Sequence, residues 1–251
     1  MEGISFMLRV RNEETTIEQS IRSLSGIRVP HEIVVVLHRC TDRTEEIVKS
    51  IDNPNIRIFY YDEEISRAGY ECLATDVSSK HSLATYYTWC KHQTRYCWVF
   101  KWDADMVAKP ELLEFLHSRT WEQRNEVYQI KTTHSTVSSS EPYLMGCLSH
   151  YGKHVFWEVP VYTCSPRIII VEESFVTCLA ESSLIKGYWR DEPWYTTEDS
   201  EEATLVRSRM HTLLTEIGEE TPGMARNLSA DSGPYWFKIM NRNFENINKF
   251  C

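Results

Sequence analysis

The chain has 251 residues, with 27 Lys and Arg against 36 Asp and Glu, a formal net charge of −9, and 42% hydrophobic and 25% charged residues. These are globular proportions, and they exclude disordered, collagen-like and coiled-coil classes. The acidic balance argues against a nucleic-acid partner, and no apolar run approaches the roughly 18 residues of a membrane span.

The N-terminal stretch MEGISFMLRVRNEE has no basic segment ahead of its apolar residues, so it does not read as a signal peptide. Eight cysteines occur without any CxxC pair. In a chain of this length they read as reduced thiols, which points to the cytoplasm.

The first half alternates between two periods. Ile4–Val10 is an apolar run that reads as a strand. Asn12, Glu13 and Glu14 then open a helix carrying Ile17, Ile21 and Leu24, with Asn12 as its cap. Glu32–Leu37 reads as a buried strand, and Thr41 or Asp42 caps a helix bearing Ile47, Val48 and Ile51. Ile56–Tyr61 is a third strand; a long connection follows, ending in a helix around His81–Lys91. Tyr96–Trp102 is a fourth strand, Pro110 opens a short helix, and Glu126–Lys131 is a fifth strand.

Strand and helix in alternation predict an α/β fold with a mostly parallel sheet. In such sheets ligands sit beyond the carboxyl ends of the strands. That rule selects Arg9–Asn12, Leu37–Asp42, Asp62–Arg67 and Lys101–Asp105.

The second half is different. Residues 135–142 are Ser-rich and read as a loop, while Val155–Cys164 and Arg167–Glu172 read as a hairpin. Thr196–Gly218 has the spacing of a long amphipathic helix, with Ala203, Val206, Met210, Leu213, Leu214 and Ile217 on its apolar face. A last helix is expected over Tyr235–Asn248.

The sharpest motif is Trp98-Val-Phe-Lys-Trp-Asp103-Ala-Asp105, an apolar strand running into Asp-x-Asp. If the strand continues through them, both carboxylates lie on one side. Paired carboxylates need a cation, and oxygen ligands of this kind suit Mn²⁺ or Mg²⁺. There is no glycine-rich phosphate loop and no zinc-type Cys/His spacing.

The strand followed by Asn12-Glu13-Glu14, the IVVV strand running into Cys40-Thr41-Asp42-Arg43-Thr44, and Asp103-Ala-Asp105 together resemble the family 2 glycosyltransferases of the GT-A fold. The resemblance covers about residues 4–116 and extends to about 210. It implies one GT-A-type domain over 1–251, Rossmann-like and helix-flanked. Its nucleotide-sugar half would span about 1–116, an acceptor half about 117–218, and a C-terminal helical annex about 219–251.

The resemblance also implies roles. Arg9, Val10, Arg11 and Glu13 would cradle the nucleotide. Arg67 would lie near the diphosphate, Asp103 by the ribose and the metal's hydration shell, and Asp105 on the metal itself. The family's uracil-reading Asp after the second strand is replaced here by Leu37, His38 and Arg39, which leaves the base open and makes His38 or Arg39 a candidate reader.

Inverting sugar transfer also needs a base. Six carboxylates lie between Asp191 and Glu202, and Glu198-Asp199 resembles the family's Glu-Asp pair, which makes Asp199 the candidate base and Asp191 and Glu158 the alternates. The same acids suit the first turn of a helix for dipole reasons alone. Trp157, Trp189 and Trp194 could stack on acceptor sugars.

The expected activity is therefore a metal-dependent inverting hexosyl- or pentosyltransferase. Its donor would be a nucleotide-diphosphate sugar and its acceptor a saccharide or glycan hydroxyl. Alternatives are a non-catalytic nucleotide-sugar or glycan-binding module, a sugar-nucleotidyltransferase, and a phosphohydrolase using the same Asp pair.

Overall fold

The computed structural model describes residues 1–66, 70–122, 126–134, 143–150, 154–156, 160–162, 167–179 and 193–216. The expected loop over 135–142 and last helix over 235–248 lie outside them. The chain forms two compact units that interleave in sequence: Met1–Glu64 with Tyr86–Trp189, and Ile65–Thr85 with Arg190–Cys251.

The first unit is built on one eight-stranded sheet, ordered β3-β2-β1-β4-β7-β6-β10-β5. Four parallel strands carry its first part: β1 (Ile4–Val10), β2 (His31–Leu37), β3 (Ile56–Tyr60) and β4 (Trp98–Asp103). β1, β2 and β4 are apolar runs buried along nearly their whole length, whereas β3 at the edge of the sheet is only partly buried. On one face, Ile4, Phe6, Leu8 and Val10 of β1 and Trp98, Phe100 and Trp102 of β4 pack with Ile17 and Ile21 of α1 (Ile17–Ser23). Val48 of α2 (Thr44–Ser50) joins the same core. So do Leu112 and Leu116 of the later helix Pro110–His117.

The other face carries Ser5, Met7 and Arg9, which alternate with those core residues. There the Arg9 guanidinium stacks on the Tyr87 ring, 3.7 Å from its centroid.

Beyond β4 the sheet becomes mixed. The strand β5 (Met106–Ala108) pairs antiparallel with β10 (Arg167–Cys178), and β6 (Glu126–His134) runs parallel to β10. Between β4 and β6 lies β7 (Tyr143–His150), antiparallel to both. Sequence periodicity did not show β5 or β7: the first is three residues long, and the second lacks clean alternation. The hairpin expected from Val155–Cys164 and Arg167–Glu172 does not form. The short strands β8 (His154–Phe156) and β9 (Pro160–Tyr162) pair with each other, and β10 joins the large sheet instead. Residues past 117 thus supply strands to the same sheet as β1–β4.

The second unit contains α3 (Tyr70–Ala74), the start of α4 (Leu83–His92), and two C-terminal helices, α6 (Trp194–Thr197) and α7 (Glu201–Glu216); α5 is Pro110–His117 of the first unit. The helix expected from Thr196 onward is broken at Glu198–Ser200. Ser200 Oγ accepts the Ala203 N–H at 3.1 Å, which caps α7 and stops it from running back into α6. Ala203, Val206 and Met210 of α7 are buried with Ala74, Trp194 and Tyr195. No helix among the described residues is long and apolar enough to cross a membrane.

Candidate functional site

The parallel strands deliver four loops to their carboxyl ends. The loop after β1 turns sharply at Asn12, whose φ is +55°, and the loop after β2 at Arg39, whose φ is +48°. Asn12 does not cap α1. Its side chain accepts the Thr41 N–H at 2.7 Å and donates to Thr41 Oγ1 at 3.1 Å. Nearby, Glu13 N–H donates to Thr44 Oγ1 at 2.7 Å, and Glu14 N–H donates to Asp42 Oδ2 at 3.1 Å. Arg43 N–H in turn donates to Glu14 Oε2 at 3.1 Å. Asp42 also accepts the Thr44 N–H at 3.0 Å, but the cap position of α2 belongs to Arg43 and not to Thr41 or Asp42 as expected. The two loops are thus stitched along their length, and Glu13 spends its carboxylate on Thr16 Oγ1 at 2.9 Å.

A second cluster joins the ends of β1, β2 and β3. Arg11 holds Glu64 through two hydrogen bonds of 2.9 and 3.0 Å, and Arg39 reaches the same carboxylate at 3.0 Å. His38, expected as a base reader, is fully buried. Its Nε2 lies 2.9 Å from the Glu63 carbonyl, and its ring packs against Tyr61 and Tyr86. An imidazole so enclosed holds the loop after β3 in place. Val10 is likewise a core residue.

The third cluster lies at the end of β4. Arg9 and Asp103 are register partners across β1 and β4, and Arg9 Nη2 donates to Asp103 Oδ1 at 2.7 Å. Lys101, two residues before Asp103 on the same face, donates to Oδ2 at 2.9 Å. Side-chain exposure is 3% for Arg9, 11% for Lys101 and 22% for Asp103. Burial alone would raise the Asp103 carboxyl, but Lys101 and Arg9 together hold it below the usual range. Burial also works against charge on Lys101, and the neighbouring Asp103 more than offsets it, so its ammonium is held above its ordinary value.

The strand does not continue to Asp105. It ends at Asp103, and Ala104–Asp105 form a turn in which Asp105 is 7% exposed and its carbonyl accepts the Leu179 N–H at 2.8 Å. The alternation that would set both carboxylates on one side therefore fails after Asp103. Among the described residues no group of three His, Cys, Asp or Glu side chains is arranged to hold a metal. Both oxygens of Asp103 already carry cations, so Asp103 does not fit as a ligand of Mn²⁺ or Mg²⁺.

In the second unit, Asp199 is exposed and lies one residue ahead of the Ser200 cap. Its neighbour Glu198 meets His81, with Oε2 3.2 Å from Nε2. The His81 ring stacks on Trp194 at 4.0 Å and 11°. Trp194, expected as a platform for sugars, is 2% exposed and has one face covered by His81. Arg67, Trp157, Glu158, Trp189 and Asp191 lie outside the described residues.

Sequence reading missed Lys101, Glu64 and His81 as members of these clusters. Lys101 had a usable signal, since a cation inside an apolar strand two residues from an acid must share its face. Glu64 fell within the Asp62–Arg67 segment that the strand-end rule selects but was not singled out, and His81 had no signal, because its partners are distant in sequence.

No protein-family model matches the sequence, and no curated protein matches it significantly. Solved structures do. S. aureus TarS 1-349 in complex with UDP-GlcNAc is similar at 15% identity and a TM-score of 0.51, covering 95% of this chain and 79% of that one. The same protein in complex with UDP gives 14% identity, a TM-score of 0.50 and the same coverage. Glucosyl-3-phosphoglycerate synthase from Mycobacterium tuberculosis, in complex with Mg²⁺ and UDP, is more distant: 14% identity, a TM-score of 0.45, 88% of this chain and 82% of that one. At these identities the TarS likeness speaks to fold, and it agrees with the parallel β3-β2-β1-β4 sheet and its flanking helices: the chain has the Rossmann-like GT-A fold.

Proposed function

We propose that the chain is a glycosyltransferase that moves a sugar from a nucleotide-diphosphate sugar to a saccharide or glycan hydroxyl with inversion. The observation that carries this reading is the placement of Arg9, Lys101 and Asp103 at the carboxyl end of β4, where open parallel sheets bind their ligands. The TarS structures that share this fold hold UDP and UDP-GlcNAc, which supports a nucleotide-sugar donor.

Arg9 and Arg11 belong to the donor side, with Arg67 beside the diphosphate and Asp103 contributing as an ion-paired group near the ribose. Asp105 completes the donor side. The base is Asp199, whose carboxylate is exposed. It takes the acceptor hydroxyl proton as that oxygen bonds to the anomeric carbon. The bond from that carbon to the diphosphate breaks with its electron pair going to the leaving nucleoside diphosphate. Trp157 and Trp189 are offered to the acceptor.

The test is nucleoside diphosphate release from separate UDP-, GDP- and dTDP-sugars, each with Mn²⁺, Mg²⁺ or chelator, with Asp105→Ala and Asp199→Asn in parallel. Donor-selective release lost in Asp105→Ala supports transfer. Acceptor-dependent turnover lost in Asp199→Asn, with donor binding kept, supports the base. Donor binding without turnover across an acceptor panel favours a nucleotide-sugar-binding module, and no binding of any donor overturns the reading.

A further inference from the structure

We infer that Asp103 is the anchor of two fixed cations, Lys101 and Arg9, and does not ligate a divalent metal ion: the positive charge at the end of β4 is built into the chain. The two oxygens of Asp103 are each engaged, Oδ1 by Arg9 at 2.7 Å and Oδ2 by Lys101 at 2.9 Å. The arrangement is specified by the sheet, since Arg9 is the register partner of Asp103 and Lys101 precedes it by one pleat repeat.

A metal ion on either oxygen would have to displace one of these cations from its carboxylate. The displaced group would be left largely buried, at 3% or 11% side-chain exposure, without that counter-ion. Breaking one side of a buried ion pair is strongly unfavourable. Without displacement, the ion would stand beside two like charges bound to the same group, which is also unfavourable. Two cations on one carboxylate leave the cluster with a net positive charge. The Asp103 carboxylate is therefore opposed to a further cation.

The inference concerns the same site as the proposed transfer, but its readout uses neither donor nor acceptor, so the two can fail separately. The wild-type chain, Asp103→Asn and the double variant Lys101→Met/Asp103→Leu are titrated with Mn²⁺, free ion being followed by electron paramagnetic resonance. The double variant leaves only Arg9 without its counter-ion, where Asp103→Asn leaves both Arg9 and Lys101 so, and it is therefore the less disruptive of the two. The expected result is a Mn²⁺ affinity within about threefold of wild type in each variant that keeps the wild-type far-ultraviolet dichroism; undetectable Mn²⁺ binding by all three gives the same answer. A loss of about tenfold or more in either folded variant overturns the inference. Wild type labelled with ¹³C at the aspartate carboxyls gives a measure that needs no variant. The Asp103 resonance is expected to stay in place under Mg²⁺, and a saturable shift overturns the inference.

Discussion

The Trp102 indole N–H donates to Ser20 Oγ across 2.9 Å, joining β4 to α1 over a sequence separation of 82 residues. Both residues are fully buried. The bond fixes how far α1 slides along the sheet, and with it the approach of the chain from the Asn12 turn.

Ser20→Ala leaves that indole N–H without its acceptor in an apolar surround. The expected cost is about 1–3 kcal/mol, seen as a lower denaturation midpoint with an unchanged denaturant slope. Ser20→Thr keeps the hydroxyl and is expected to lose less of that hydrogen bond's contribution.

Asp103→Ala strands Lys101 and Arg9, and the expected loss is about 3–5 kcal/mol near neutral pH. The sign of its pH dependence follows from the lowered carboxyl. A depressed acid stabilises the fold above its unfolded pKa, about 3.9, and that contribution drains away as pH falls through the folded value. The gap between wild type and Asp103→Ala should therefore be widest above about pH 4 and narrow on further acidification. Urea titrations at a series of pH values read it directly.

The alkaline side has its own pair. Burial pushes the Cys90 thiol up to about 12, outweighing the lowering effect of Arg9. Burial likewise raises the Tyr61 hydroxyl to about 12. Both groups ionise more readily in the unfolded chain, so stability is complete below their ordinary values and falls as pH climbs toward 12. Cys90→Ala is expected to flatten this alkaline loss. Native Cys90 should also resist a thiol reagent at pH about 8 until the chain is unfolded.

Trp194→Ala removes a large side chain from the core of the second unit, where it stacks on His81 and packs with Val206 and Met210. A loss of about 3–5 kcal/mol is expected for truncation of a buried tryptophan. Trp194→Phe keeps a ring against the imidazole and should retain most of the stability. Thermal melts followed by tryptophan fluorescence distinguish the two.

The parallel strands and the helices that cover their apolar face were legible because each announces itself locally: β1 to β4 as apolar runs, α1 and α2 by spacing and acidic first turns. The ends of elements were less legible. Asn12 looks like a helix cap, yet its left-handed backbone turns its side chain to Thr41, a residue that no local pattern connects to it. The fourth strand reads as Tyr96–Trp102, with both acids on one side only if it continues; it ends at Asp103, and the turn at Ala104–Asp105 leads into β5, whose three residues find their hydrogen bonds on β10. Partners supplied from afar also decided the site. Alternation put Lys101 beside Asp103, but only the parallel register of β1 could bring Arg9 to the same carboxylate. The burial of His38 was hidden for a similar reason, since Tyr61, Glu63 and Tyr86 enclose it from other segments.

The stitching of residues 12–14 to residues 41–44 makes one rim out of two loops. A residue inserted into either would break the match of donors to acceptors along the whole seam. Loop length here is therefore set as a pair: a longer turn after β1 calls for a compensating change after β2. Anyone reshaping this mouth of the sheet to admit a different ligand would have to redesign both loops together.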